Sequence, residues 1–269
     1  MARSRRLEGA AGESARMAAN AIVATQGLSK SFAGYRAVDD VSISIEAGTI
    51  HAIIGPNGAG KTTFFNLLSG FVKPSAGTIS LGARDITGLS PPRIARLGMV
   101  RSFQINSIFT HLSVLDNVKV SLESKTELPS RFWSSGAATA RLEPRAKELL
   151  ADVGLLHDSG LLAVQLSYGR KRALELAISL AQDPEILLLD EPTAGMGTED
   201  VARISRLIAR VAKGRTVVLV EHNLSVVADL SQRITVLQRG RVLVEGTYDQ
   251  VRSDQRVIDA YLGGTVVRA

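Results

Sequence analysis

A glycine-rich loop between an apolar segment and an amphipathic one leaves few folds open to this chain. Ile50–Ile54 is nearly all apolar, which predicts a buried strand, and residues 64–68 have the pattern of a helix. Between them lies the pattern G-x-x-x-x-G-K-[ST], formed by Gly55, Pro56, Asn57, Gly58, Ala59, Gly60, Lys61, Thr62 and Thr63. Strand, loop and helix together predict a phosphate-binding loop. The alternative is a glycine-rich turn that carries Lys-Thr by coincidence, but such a turn does not require a strand before it and a helix after it.

The residue types in this loop suit the phosphates of a nucleotide. Glycines let the backbone curl until successive N–H groups converge on the β-phosphate, and a helix that begins near Gly60 adds the positive end of its dipole. Lys61 would bridge the β- and γ-phosphates, and the hydroxyl of Thr62 would be a ligand of Mg²⁺.

A pair of adjacent acids follows a second apolar segment. Residues 186–189 are aliphatic, and Asp190 and Glu191 come directly after them. Asp190 would hold Mg²⁺ through its water shell, and Glu191 would polarise the water that attacks the γ-phosphorus. Adjacent acids at a strand end are otherwise common as turn formers or solvated residues, and the phosphate-binding loop upstream favours the catalytic interpretation.

The rest of the chain alternates short β-branched segments with longer amphipathic ones. This alternation is typical of a mixed or parallel sheet covered by helices. Besides Ile50–Ile54, strands are predicted at residues 41–45, 78–81, 185–189, 216–220, 234–237 and 241–245. Helices are predicted after Gly60, at residues 141–153, from about 198 to 213 and near 257–262, and the β signal fades between residues 104 and 166.

Composition limits the classes of partner. The 269 residues, 45% hydrophobic and 22% charged, suffice for one large or two small domains, and the net charge of +6 admits nucleic acid, an anionic membrane or a phosphorylated ligand. Residues 1–20 hold four arginines and two glutamates and are expected to be a disordered tail. Because this tail supplies part of the positive charge, the rest of the chain is only mildly basic, which weakens the nucleic-acid interpretation. The chain has no cysteine, which excludes disulfides and thiolate sites, and no apolar run of about 18 residues that would cross a bilayer.

Further motifs give the sequence a family resemblance. Residues 166–170, Leu-Ser-Tyr-Gly-Arg, resemble the L-S-G-G-Q signature of ATP-binding cassette (ABC) ATPases. Gln104 matches that family's glutamine at the junction of core and helical subdomain, and His222 matches its switch histidine. Within the family, the chain most resembles the ATPase subunits of branched-chain amino-acid importers, through residues 30–32, 37–38, 101–104, 221–223 and 260–263 and through Tyr168.

The resemblance, which covers about residues 25–263, implies a fold class and a domain plan. The fold would be α/β, a P-loop NTPase core of ABC ATPase type with an antiparallel β subdomain and an inserted helical subdomain. Residues 21–104 and 167–263 would form the core, and residues 105–166 the helical subdomain. Residues 1–20 and 264–269 would be tails.

The resemblance also implies roles for single residues. Phe32 would stack on adenine, although Tyr35 competes for this role and a packing role explains either ring equally well. Gln104 would join Thr62 and Asp190 around Mg²⁺. His222 would contact the γ-phosphate and Glu191; without the other motifs, a core or capping histidine would be preferred.

The signature segment has a physical interpretation of its own. Ser167 can cap the helix that follows, and Gly169 permits close approach of a ligand to the helix N-terminus. Residues 170–172 place three positive charges at that end, which is unfavourable unless an anion or an acidic partner is near. The family supplies the anion, because the signature of one subunit closes over ATP held by another; solvated side chains are the alternative for Lys171 and Arg172.

The match to the family has departures. Tyr168 replaces a small residue of the signature and Arg170 replaces its glutamine, so Ser167 and Gly169 are the phosphate contacts that transfer. Residues 194–197 lack the aspartate that many relatives carry after the acid pair, which puts communication between two ATP sites through this loop in doubt.

The partners implied are ATP, Mg²⁺, a second cassette subunit, identical or paralogous, integral-membrane permease subunits and, indirectly, a periplasmic solute-binding protein, with no nucleic acid. The expected location is peripheral, on the cytoplasmic face of the inner membrane. Ile105, Ile108, Phe109 and Leu112 would form a groove for a permease helix, although core packing explains them equally well. The alternatives are the ATPase of a lipopolysaccharide-type exporter, a cassette ATPase acting on ribosomes or DNA, and a P-loop kinase.

Overall fold

The computed structural model describes residues 21–102, 108–124 and 136–262, which belong to two compact units. The first unit combines the chain up to Ile94 with the chain from Thr216 onward, and the second is Ala95–Arg215. The predicted tails at 1–20 and 264–269, together with Gln104 and Ile105, lie outside the described residues. Within those described, no helix has both the length and the apolar character to cross a membrane.

The first unit contains an antiparallel sheet of four strands. These are β1 (Ala21–Phe32), β2 (Tyr35–Glu46), β4 (Ala76–Leu81) and β5 (Arg84–Asp85), in the order β2-β1-β4-β5. In β2, Val41, Ile43 and Ile45 are buried and alternate with less buried serines, as the period-two pattern of residues 41–45 predicts.

A second group of strands in the same unit carries the glycine-rich loop. β3 (Ile50–Ile54) is buried along its whole length and lies parallel to β8 (Thr216–Val220) on one side and to β9 (Arg233–Gln238) on the other. β10 (Arg241–Gly246) pairs antiparallel with β9. A strand between two parallel neighbours is covered on both faces, which explains its continuous apolar sequence.

Helices complete the first unit. α1 (Lys61–Leu68) follows the glycine-rich loop, α2 (Pro91–Arg96) carries the chain toward the second unit, and α7 (Leu224–Leu230), α8 (Tyr248–Arg252) and α9 (Gln255–Leu262) belong to the C-terminal part. α7, α8 and α9 pack on β3 and β9 through the C-terminal cluster, whose buried members are Ala52, Ile54, Val227, Ile234, Val236, Val251 and Val257. The C-terminal helices thus share their core with the strand that leads into the loop.

The second unit has two parallel strands, β6 (Met99–Arg101) and β7 (Ile186–Asp190). Its helices are α3 (Val114–Ser124), α4 (Gly136–Asp152), α5 (Tyr168–Leu180) and α6 (Thr198–Val211). α4 begins five residues before the predicted start at 141. α6 starts at the predicted residue and ends at Val211, two residues early, before Gly214 with φ 76°.

Candidate functional site

The glycine-rich loop joins β3 to α1, as its sequence predicts. Gly55, Gly58 and Gly60 all have positive φ, of 151°, 77° and 100°. A Cβ on Gly55 would lie 2.2 Å from the carbonyl oxygen of Leu237 in β9, and one on Gly60 would lie 2.4 Å from that of Ala37 in β2. Only glycine fits at these two positions, because the neighbouring strands press directly on the loop backbone.

Lys61 folds back over the loop that precedes it. Its side chain is buried, and Nζ donates to the carbonyl oxygens of Gly55 at 2.8 Å and Pro56 at 3.1 Å. Thr62, one residue on, is exposed at the start of α1. The loop therefore holds an ammonium group against its own carbonyls and presents a hydroxyl to solvent.

The turn between β9 and β10 is hydrogen-bonded to the glycine-rich loop. The Gly240 N–H donates to the Ala59 carbonyl at 2.9 Å, and the Asp39 N–H donates to the Gly240 carbonyl at 2.8 Å. The Asp39 carboxylate accepts hydrogen bonds from Arg241 and Arg36, which hold its pKa below its ordinary value. The loop is thus tied through this turn to β2.

The C-terminal helix α9 packs beside the strand that leads into the loop. Tyr261 of α9 is half-buried and packs on the C-terminal cluster, which includes Ala52 and Ile54 of the strand that leads into the loop. Burial raises the pKa of Tyr261, and the backbone of Gly55 partly offsets the rise.

The aromatic residues proposed for adenine flank the turn between β1 and β2. Phe32 is 46% exposed and Tyr35 is 63% exposed, so neither ring belongs to the core. Lys30 Nζ lies 5.0 Å from the centre of the Phe32 ring. Both rings remain accessible to a ligand, and the choice of Phe32 stays a prediction.

His222 is exposed on a turn that its neighbours hold firmly. The backbone N–H groups of His222 and Asn223 both donate to the Glu221 carboxylate, at 2.7 and 3.0 Å. The Asn223 side chain caps α7 by accepting from the N–H groups of Ser225 and Val226. The imidazole therefore stands on a defined turn after β8, in the same unit as the phosphate-binding loop.

The acid pair lies at the end of β7, in the second unit. Asp190 Oδ2 accepts a hydrogen bond from Arg101 Nη2 of the neighbouring strand β6, and the side chains of both are largely buried. Glu191 has φ 48°, a left-handed conformation that is uncommon and costly for a residue other than glycine. The backbone thus turns sharply between the two acids, which favours a functional over a merely solvated pair.

The signature segment begins α5 in the same unit. Ser167 occupies the N-cap position, but its side chain makes no capping hydrogen bond, so that prediction is wrong. The Tyr168 hydroxyl donates to the Ala194 carbonyl, in the loop after the acid pair, at 3.1 Å. A Cβ on Gly169 would lie 2.9 Å from a carboxylate oxygen of Asp200, at the end of a side chain that can move, so this approach does not by itself require glycine.

Two of the three cations at the start of α5 have acidic partners within the second unit. Arg170 pairs with Asp158 at 2.7 Å, and Arg172 pairs with Glu175 at 2.8 Å. The guanidinium of Arg172 also lies over the Tyr168 ring, at 5.5 Å from its centre. Acidic partners, which the sequence left open beside an anion, are therefore present for Arg170 and Arg172, and the largely buried Arg172 is not a solvated arginine.

An apolar patch lies on the second unit near the segment proposed for a permease helix. Phe109 is exposed while Ile108 is buried and Leu112 is half-buried, so these residues do not act as one face. Backbone hydrogen bonds from Ala163 to Leu112 and from Val164 to Thr110 align a second exposed segment beside the first. The exposed side chains, which we call the apolar patch, are Phe109, Leu161, Leu162 and Val164.

The fold and the loop define a P-loop nucleotide-binding protein, and comparison with known proteins gives its family. Residues 38–194 match the model of the ABC transporter family, and residues 241–267 match that of the branched-chain amino acid ATP-binding cassette transporter. The chain belongs to the ABC transporter family, and it is an ATP-binding cassette ATPase. It is 40% identical, over 90% of its length and 98% of the relative's, to the high-affinity branched-chain amino acid transport ATP-binding protein LivG of Salmonella typhimurium.

Solved structures agree with this assignment. The ADP conformation of an ATP-binding cassette of an ABC transporter superposes with a TM-score of 0.80 at 28% identity, covering 90% of this chain and 99% of that one. A dimeric cassette in a post-hydrolysis state, bound to ADP and Pi, gives a TM-score of 0.71 at 26% identity, covering 84% and 98%. The predicted fold class is confirmed, and so is nucleotide binding as the basic activity.

Proposed function

We propose that this ATPase powers the import of branched-chain or related amino acids through partner permease subunits. The observation that carries the proposal is the match of residues 241–267 to the branched-chain cassette model. The 40% identity to LivG over nearly the whole of both chains supports it. Within the part of the chain that the structure describes, no feature favours the alternative from sequence, a lipopolysaccharide-type exporter.

ATP would bind with its phosphates on the loop from Gly55 to Thr63. The helix dipole of α1 and the ammonium of Lys61 supply positive charge there, and the curled backbone supplies N–H donors. Phe32, exposed at the turn between β1 and β2, would stack on the adenine ring. Lys61 would exchange its carbonyl partners for phosphate oxygens.

The residues proposed for Mg²⁺ suit that ion. Magnesium prefers oxygen ligands and takes few of them from the protein when substrate phosphates and water supply the rest. The Thr62 hydroxyl is exposed, and the Asp190 bond to Arg101 engages Oδ2, which leaves Oδ1 for a water of the ion's shell. Gln104 would complete the set. The bound ion would neutralise charge that develops on the phosphate oxygens.

Glu191 and His222 would carry out the hydrolytic step. Glu191 accepts the proton of a water molecule as the water oxygen forms a bond to the γ-phosphorus, and the bond to the β–γ bridging oxygen breaks, leaving ADP and phosphate. His222 would donate a hydrogen bond to a γ-phosphate oxygen. The strained backbone at Glu191 is consistent with a residue held in place for this role.

A second cassette subunit would complete each ATP site. Ser167 and Gly169 at the start of α5 would contact the γ-phosphate of ATP held by the other subunit. The dimeric cassette with ADP and Pi among the solved structures supports such an assembly. The hydroxyl of Ser167 is not used in capping its own helix, which suits a contact with a ligand.

The remaining partners would be integral-membrane permeases and, through them, a periplasmic solute-binding protein. The apolar patch is the surface that we propose for a cytoplasmic helix of the permease, which would place this chain at the cytoplasmic face of the inner membrane. Scattered exposed apolar residues are normal, but adjacent ones on two aligned segments are typical of an interaction site.

The test is purification of the tagged chain from native membranes. We expect permease subunits and a solute-binding protein to copurify, and ATP hydrolysis by the reconstituted complex to rise when leucine, isoleucine or valine is present with that binding protein. Glu191→Gln is the matched variant: it should copurify with the same partners and lower steady-state hydrolysis by about a hundredfold or more, since it removes the general base.

Two results would contradict the proposal. Copurification with exporter-type permeases and no solute-binding protein would overturn the import function. Unchanged steady-state hydrolysis in Glu191→Gln would overturn the role of this carboxylate, whatever the transported solute.

A further inference from the structure

Tyr168, which departs from the family signature, connects the start of α5 to the turn that carries Glu191. Its hydroxyl donates to the Ala194 carbonyl at 3.1 Å. The Ala194 N–H in turn donates to the Glu191 carbonyl at 3.1 Å, which closes the turn from Glu191 to Ala194. Both polar backbone groups of Ala194 are therefore engaged, one by Glu191 and the other by the tyrosine of the signature.

Arg172 sets the direction of the Tyr168 hydroxyl proton. Arg172 Nη2 lies 3.2 Å from the hydroxyl oxygen and donates to it, because a guanidinium has donors and no acceptor. The single hydroxyl proton is then directed to Ala194. Arg172 is itself paired with Glu175 at 2.8 Å, and its guanidinium lies over the Tyr168 ring. The tyrosine is thus held in place from within α5.

The turn at Glu191 has a conformation that needs support. The left-handed backbone of Glu191, with φ 48°, persists only where the surrounding structure fixes it. Residues 194–197 are Ala, Gly, Met and Gly, so no side-chain hydroxyl, amide or charge of this segment can anchor it. The loop therefore depends on contacts to its backbone, and the hydrogen bond from Tyr168 is one of these.

We propose that Tyr168 is a positioning residue for ATP hydrolysis: its hydroxyl fixes Ala194, and the turn that Ala194 closes holds the Glu191 carboxylate in place. The inference rests on the proposed function, in which Glu191 accepts the proton of the attacking water. Tyr168 acts through Glu191 and not through a contact with ATP, which distinguishes it from the roles proposed for Ser167 and Gly169.

The experiment compares Tyr168→Phe with the wild type. Affinity of the full-length chain for the fluorescent nucleotide mant-ATP is measured by equilibrium titration, and KM and kcat for ATP by steady-state hydrolysis in the reconstituted complex. We expect Tyr168→Phe to lower kcat about fivefold, the usual worth of one hydrogen bond, with KM and mant-ATP affinity unchanged. The control is Tyr248→Phe, which removes the hydroxyl from a half-buried tyrosine of the first unit and should match the wild type.

A double-mutant cycle tests whether Tyr168 acts through Glu191. The Glu191→Gln chain lacks the general base, so adding Tyr168→Phe should lower its residual rate by less than about twofold. A change that merely loosened the start of α5 would lower the rate by the same factor with either residue at position 191. Single-turnover hydrolysis of radiolabelled ATP measures the residual rate.

Amide hydrogen exchange gives a further readout that does not depend on nucleotide. In the nucleotide-free chain, the amide of Ala194 should exchange faster in Tyr168→Phe, because the turn that its N–H closes opens more often. It should exchange at the wild-type rate in Tyr248→Phe.

The outcomes separate the positioning role from the proposed function. A wild-type kcat, weaker mant-ATP binding or unchanged Ala194 exchange in Tyr168→Phe would overturn the positioning role. Equal losses in the two tyrosine variants, or an equal loss with glutamine at position 191, would also overturn it. A defective Glu191→Gln beside a fully active Tyr168→Phe would leave the proposed function standing, whereas unchanged hydrolysis in Glu191→Gln would overturn the role of Glu191 itself.

Discussion

His51, the second residue of β3, is a fully buried titratable residue of the first unit. It is 0% exposed, and its Nε2 lies 2.8 Å from the hydroxyl of Thr235, while Nδ1 has no partner among the described residues. Burial, with a smaller effect of the Arg233 charge, lowers the pKa of His51 to about 4. The imidazole is therefore neutral in the folded chain at physiological pH.

The low pKa of His51 predicts acid sensitivity. An unfolded chain takes up a proton at His51 near the ordinary pKa of about 6.5, so the contribution of this residue to stability is complete above that pH and is lost as pH falls toward 4. Between pH 7 and pH 5, His51 should account for a loss of about 2 kcal/mol in the free energy of unfolding. Urea unfolding at both pH values measures it.

The control for this prediction is His111, which is exposed. His51→Gln, whose side chain can still bond to Thr235, should show a shallower pH dependence than the wild type, and His111→Gln should not. A His51→Gln variant with the wild-type slope would contradict a buried neutral imidazole.

The sequence predicts the position of a site residue correctly when that position is set by neighbouring residues along the chain. The loop from Gly55 to Thr63 lies between its predicted strand and helix, and Asp190 ends a strand as expected. The partner of Arg170 was missed, because Asp158 comes near only through the fold. No local pattern marks a contact of that kind.

At the level of elements, α5 contains a buried ion pair. Arg172 and Glu175 lie one helical turn apart, and their side chains are 13% and 4% exposed. Burial raises the pKa of Glu175, and the pairing with Arg172 opposes that rise. Oε1 of Glu175 and Nε of Arg172 have no hydrogen-bond partner among the described residues, so the pair is incompletely satisfied.

This arrangement predicts a non-additive pair of substitutions. Arg172→Met should lower the free energy of unfolding by about 3 kcal/mol, because it leaves a buried carboxylate without its cation, whereas Arg172→Met with Glu175→Leu should return to within about 1 kcal/mol of the wild type. Chemical denaturation of the wild type and of both variants measures the coupling.

The exposed pair Arg145 and Glu148 has the same spacing on α4 and is the control. Arg145→Met should change stability by less than about 1 kcal/mol, since exposed ion pairs contribute little. Additive effects of the two changes at 172 and 175 would show that the pair does not act as a unit.

The predicted limits of a strand agree with the structure where both faces of the strand are buried. β3 and β8 match their predicted limits, because strands buried on both faces are apolar to their ends. β2 extends six residues before the predicted start at 41 and one beyond the predicted end at 45. Its outer residues pair with β1 through register shifts, which a strict alternation of apolar and polar side chains does not reveal.

At the scale of the whole molecule, the net charge of +6 does not measure the charge that is available to a ligand, because several of the arginines form ion pairs within the chain. Arg170 and Arg172 are paired within the second unit, and Arg241 and Arg36 are paired with Asp39 within the first. These cations are part of the fold. In the proposed ATP site, positive charge comes instead from Lys61 and the start of α1, which the net charge of the chain does not indicate.

The proposed assembly of two cassettes leads to a prediction about the intact protein. With Glu191→Gln slowing hydrolysis, ATP should convert the chain to a dimer. Adding Ser167→Glu should abolish this dimer, because a carboxylate at the signature would face the γ-phosphate held by the other subunit. Ser167 is exposed and caps nothing, so the change should leave the fold and mant-ATP binding unaltered.

Sedimentation velocity with and without ATP distinguishes the two states. The control is Thr78→Glu in the same background, which adds the same charge at an exposed position of β4, and it should dimerise with ATP as before. An ATP-dependent dimer that persists in the Ser167→Glu chain would place the signature outside the shared site. Loss of the dimer together with loss of mant-ATP binding would instead mean that Ser167 acts on the ATP of its own subunit.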